Sequence, residues 1–224
     1  LPGNGPGDDS AAGGHGTHVA GILGSAGVGG HTDLNGFSYG LGVAPKVGIY
    51  AQNVLCRGGN PSFPPAGGWQ TLSKRAVEVG AIGTNLSFTT GEGIRHGYQS
   101  IERLFDVMVR DGNFDTPTQM DPLTMIFSAG NSGPAISSLT APKEAKNIIV
   151  VGASESPRSG DAGELLPNSS RGPTQDGRLV PTLVAPGGEI ASTRRLGGAP
   201  LCNLPEIQHT DDLHAFCTGT SAAS

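Results

Sequence analysis

The sequence predicts an α/β protein with a central, mostly parallel sheet covered by helices on both faces. Three observations carry this. Short apolar runs recur at 81–88, 123–129 and 147–153, each of strand length and bounded by glycine, proline or polar residues. Segments with helical periodicity precede the first run, at 69–79, and follow it, at 94–110, where Ile101, Leu104, Phe105, Met108 and Val109 fall on one side. The connections are short, and strands alternating with helices through short crossovers give parallel pairing with both sheet faces buried.

Taken in order, residues 1–14 are rich in glycine, proline and aspartate and read as a solvated loop. A helical pattern begins at about His15. Gly16, Ala20 and Gly21 weaken its intrinsic helix propensity, which small residues offset by allowing close packing on a sheet. Residues 46–55 read as a buried strand, followed by a Gly/Pro-rich loop to about Gly68. The helix at 69–79, the run at 81–88, the helix at 94–110 and the runs at 123–129 and 147–153 complete the alternation.

With 224 residues, the chain suits one domain with one substantial core. Its 37 glycines and 17 prolines are numerous, but no triplet repeat links them and apolar runs intervene, so collagen-like and disordered classes are excluded. A formal charge of −5, with acidic and basic residues interspersed, offers neither a basic stripe for nucleic acid nor a polybasic membrane patch. No apolar stretch is long enough to span a bilayer as a helix. Three cysteines, Cys56, Cys202 and Cys217, leave one unpaired if two bridge, and a Cys202–Cys217 disulfide is one hypothesis.

Chemistry is concentrated in three segments. The first is Gly13-Gly14-His15-Gly16-Thr17-His18-Val19-Ala20-Gly21, the second Phe127-Ser128-Ala129-Gly130-Asn131-Ser132-Gly133-Pro134, the third Gly219-Thr220-Ser221-Ala222-Ala223-Ser224. Each alone has an ordinary reading: a helix histidine, a turn asparagine, a small-residue turn. His15 and His18 share a helical face, but no glutamate follows His15 and no third ligand stands at metal spacing, which argues against a zinc site. In their order and company the segments resemble the subtilisin-like serine proteases, the subtilases. Gly42-Val43-Ala44-Pro45, Ala145-Lys146-Asn147-Ile148-Ile149-Val150-Val151-Gly152-Ala153, Ser169-Ser170-Arg171-Gly172-Pro173 and Val184-Ala185-Pro186-Gly187 extend the resemblance over nearly the whole chain.

The resemblance implies a subtilisin-like three-layer sandwich with its site at the carboxyl ends of the strands. It implies a serine endopeptidase with Ser221 as nucleophile, His15 as general acid/base, and Asn131 as side-chain donor to the oxyanion beside the Ser221 N–H. Extended peptide substrates would add along Asn85, Leu86, Ser87 and Phe88 and along Phe127, Ser128, Ala129 and Gly130. No cofactor is required. Calcium, which often steadies subtilases, has a structural option in loops such as 160–164, and the family points to secretion and to further domains.

Departures from the pattern set further expectations. In subtilases the orienting aspartate ends a strand well before the histidine. Here only Asp8 and Asp9 precede His15, both in the loop. The sequence is therefore expected to be a segment cut at both ends, nearly inactive by itself, with a peptide-binding pseudoprotease of the same fold as the alternative. An α/β-hydrolase is disfavoured because its serine lies in Gly-x-Ser-x-Gly and precedes the histidine. Ala222 stands where many relatives have methionine, so the site should tolerate peroxide. A histidine base must be neutral, so activity is expected to fall below about pH 6.5.

Overall fold

A computed structural model describes residues 13–27, 29–33, 36–54, 67–196 and 213–224. These fall in two compact units, one from Leu1–Ser62 with Glu189–Thr218 and one from Phe63–Gly188 with Gly219–Ser224.

The second unit holds a four-stranded parallel sheet. Its strands β1 (Gly83–Leu86), β2 (Thr124–Ser128), β3 (Ile149–Ser154) and β4 (Leu183–Pro186) lie side by side in sequence order. Register pairs Leu86 with Phe127, Phe127 with Val150, and Ala153 with Ala185. The pleat then sets Phe127 and Val150 on one face and Ala153 on the other. On the first face, the fully buried Phe127 meets Phe105 edge to face at 5.1 Å and Phe88 at 5.9 Å, and Trp69 stacks on Phe88 at 5.5 Å. These rings form the aromatic core of the unit.

Two helices feed that core. One, α2, spans Gln70–Glu78, close to the expected 69–79. The other, α3, spans Ser100–Arg110 and buries Phe105 and Met108 as its spacing predicts. It is shorter than 94–110 because Glu102 Oε2 turns back to accept the Gln99 N–H at 2.9 Å, fixing the helix start, and Gly97 ahead of it has φ of 79°. A last single turn, α4 (Thr220–Ala223), packs on β2, β3 and β4.

The first unit is built on α1 (His15–Gly24) and an antiparallel pair, β5 (Ile190–Thr193) with β6 (His214–Cys217). Gly21 is the contact point, as its size suggested: a β-carbon there would stand 2.2 Å from Thr193 Oγ1. Residues 46–54, expected as a strand, are not one. Val47, Ile49 and Tyr50 are about half exposed, and Val47 and Ile49 cover Gly24 of α1. Cys217 is disulfide-bonded, so within this chain its partner is Cys56 or Cys202, both outside the described residues.

Candidate active site

The serine segment is assembled where the parallel strands end. After β2 the chain turns at Gly130, whose φ of 102° favours glycine, and reaches the exposed Asn131. Asn131 Oδ1 accepts two hydrogen bonds from Thr220, from its N–H at 3.0 Å and from its hydroxyl at 3.0 Å. A backbone N–H can only donate, so the amide must turn its oxygen to Thr220 and leave the Nδ2 hydrogens facing away. The Thr220 hydroxyl also accepts the Gly130 N–H at 3.1 Å, so one side chain, 1% exposed, fixes both ends of the turn.

Neighbouring backbone holds this arrangement. Gly219 has φ of 148°, and a β-carbon on it would stand 3.2 Å from Asn131 Nδ2. Its N–H donates to the Gly187 carbonyl at 2.9 Å. Ser170 clasps Asn131 from both sides, donating its N–H to the Gly130 carbonyl at 2.8 Å and accepting the Ser132 N–H at 3.0 Å. Ser221 follows as the second residue of α4, half-buried, with an N–H in the first turn that the helix itself cannot satisfy. Residue 220 thus orients one donor and precedes another, beside a serine hydroxyl.

His15 opens α1 in the other unit, half-buried, behind Gly14, whose φ of 95° and approach to Arg195 exclude a side chain. His18, on the same helix, is buried and serves structure. Its Nε2 lies 3.1 Å from the Ile190 carbonyl and 3.2 Å from that of Ala215, and burial lowers its pKa despite those acceptors. Asp8 and Asp9 lie outside the described residues.

The expected substrate residues divide by exposure. Phe127, Ser128 and Ala129 are buried, and Phe127 and Ser128 sit in β2 between two partner strands, so their side chains belong to the core. Gly130, Asn85, Leu86, Ser87 and Phe88 are half-buried. Asn85 Nδ2 donates to Ser87 Oγ at 3.2 Å, and Ser87 Oγ reaches the Ser221 carbonyl at 3.4 Å and Ser224 Oγ at 3.0 Å. Sequence reasoning missed Thr220 and Ser170. Both stood inside quoted motifs, but their partners are far away in the chain. In loop 160–164, Asp161 Oδ1 accepts the Gly163 N–H at 2.9 Å, and among the described residues no cluster of three metal-ligating groups fits an ion.

The model of the subtilase family matches residues 2–224. The chain belongs to the subtilase family. It is 26% identical over 227 residues to serine protease AprX of Bacillus subtilis (strain 168), covering 98% of this chain and 47% of that protein. Tripeptidyl-peptidase 2 of Caenorhabditis elegans is 29% identical over 193 residues, 80% of this chain and 12% of that protein. Among solved structures, the S41 psychrophilic protease superposes with a TM-score of 0.59 at 25% identity, covering 94% of this chain and 59% of that one. Sphericase, at 24% identity and a TM-score of 0.55 with the same coverage, shares the fold. This subtilase chain spans about half the length of AprX and about an eighth of tripeptidyl-peptidase 2.

Proposed function

We propose that this chain carries the nucleophile, the base and the oxyanion donors of a serine endopeptidase. Ser221 Oγ attacks the scissile carbonyl carbon as His15 takes its proton. The oxyanion accepts hydrogen bonds from Asn131 Nδ2 and the Ser221 N–H. On collapse the amine leaves with the proton from His15, and water then releases the acyl group by the same steps. One observation carries this: Thr220 consumes the Asn131 oxygen, so an exposed asparagine beside Ser221 presents its donors. A carboxylate that orients His15 would complete the triad. The reading also includes secretion, which the Cys217 disulfide supports, since such bonds persist in oxidising compartments. No helix among the described residues is long and apolar enough to cross a membrane.

Labelling of the full-length protein with a fluorophosphonate tests the assignment. Label is expected on the parent and absent from Ser221→Ala. A folded parent that takes no label would instead favour a peptide-binding pseudoprotease.

A further inference from the structure

Pairing of β1 with β2 ends at Leu86 and Phe127, and beyond it no ladder joins segment 87–91 to segment 128–131. Each leans on the turn at 140–143. Thr89 Oγ1 and the Thr90 N–H both donate to the Ala141 carbonyl, at 3.0 and 3.2 Å, and a β-carbon on Gly130 would stand 3.5 Å from Thr140 Oγ1. Into this turn Lys143 inserts its whole side chain. It is 1% exposed, and its Nζ donates to the Phe88 carbonyl at 3.0 Å and to Thr140 Oγ1 at 2.8 Å.

A lysine this buried ordinarily pairs with a carboxylate, and this one has only neutral acceptors. Nearby titratable groups are engaged elsewhere. Glu92 takes the Thr90 hydroxyl, Glu144 accepts the N–H groups of Gly97 and Gln175, His96 faces Glu102, and Lys146 lies over the Tyr98 ring. Segment 128–131 brings no ionisable side chain. A neutral amine has two N–H groups, and the two acceptors use both. Burial without a counterion pulls the Lys143 pKa down to about 7, in keeping with that state.

We propose that Lys143 is the positioning residue of the peptide-binding crevice, tying the Phe88 carbonyl to Thr140 and so holding segment 87–91 at the spacing from Gly130 that an extended substrate needs. The proposal rests on the protease reading for its substrate. The tie itself does not. A charge here has no counterion, so the buried tie is progressively disfavoured as pH falls from the ordinary lysine range toward about 7.

Lys143→Met, which keeps volume and loses the donors, tests this in the full-length protein. KM for a peptide substrate is expected to rise roughly fivefold to tenfold, the size of one net hydrogen bond, with kcat within about twofold. Wild-type KM should climb as pH falls from about 9 toward 7 and level off below, while the KM of the variant stays flat over that range. In the wild type, hydrogen exchange of peptide 85–91, corrected for intrinsic rates, should be faster at pH 6 than at pH 8. That measurement needs neither a foldable variant nor activity. A folded variant with wild-type KM and pH profile overturns the proposal, as does exchange at 85–91 that ignores pH. If fluorophosphonate labelling fails while exchange responds, the protease reading falls and the tie stands.

Discussion

The helix that begins with His15 and the helical turn that contains Ser221 are fastened by opposite means. Along α1, side chains from β5 grip the helix backbone: Ser192 Oγ donates to the His18 carbonyl at 2.8 Å and Thr193 Oγ1 to that of Thr17 at 2.8 Å, while His18 answers from the helix. These groups are buried or half-buried, and none is a candidate for chemistry. Around α4 the fastenings are the candidate machinery, since the Thr220 bonds that hold the turn also aim Asn131. Damage near His15 should therefore appear as lost stability, and damage near Ser221 as lost rate with the fold intact.

The largest separation of the two outcomes should come from Asn131→Ala. The residue is exposed, so its removal disturbs little packing. Loss of one oxyanion donor lowers kcat by about 10²–10³, a value known for subtilisin, a member of the same family. Steady-state kinetics beside thermal unfolding checks it, and an unchanged kcat would remove Asn131 from the site. Thr220→Val comes next. It removes the hydroxyl that joins the Gly130 N–H to Asn131 Oδ1 and keeps the backbone donor. Since one net hydrogen bond is at stake, kcat should drop roughly fivefold to tenfold. In the double variant the Thr220 effect should vanish, because its route runs through Asn131.

Local pattern made the parallel sheet legible, and distant pairing hid the rest. Strands β2 and β3 and helix α3 announce themselves because apolar residues recur at the spacing of the surface they bury. β5 and β6 escaped notice because Ser192, Thr193 and His214 are polar, and their neighbours come from α1 and from each other, twenty or more residues away. The opposite error occurred at 46–54, where an apolar run promised a strand but Val47 and Ile49 cover a glycine of α1. Motif order singled out His15, Asn131 and Ser221, whereas the use of Thr220 depends on an asparagine 89 residues earlier. Lys143 lies in Pro142-Lys143-Glu144-Ala145-Lys146, whose charges alone give no sign of burial, and its acceptors are the Phe88 carbonyl, 55 residues earlier, and Thr140 Oγ1.

The effect that sharpens the contrast from the histidine side concerns His18 and is read in stability, not rate. Its folded pKa lies below the ordinary value of about 6.5, so the folded state favours the neutral ring. Between the lowered value and about 6.5 the unfolded chain binds more protons. Stability contributed by His18 is thus fully present above that window and is lost as pH falls through it. His18→Ala should lose about 1–3 kcal/mol at pH 8, by leaving the Ile190 and Ala215 carbonyls without their donor. His18→Gln keeps an N–H donor and cannot titrate, so it should lose less at pH 8 and gain on the wild type as pH drops to 5.5. Chemical denaturation at the two pH values reads both. A constant gap between His18→Gln and the wild type would mean that His18 takes up its proton equally in the folded and unfolded chains, and that burial on α1 does not shift it.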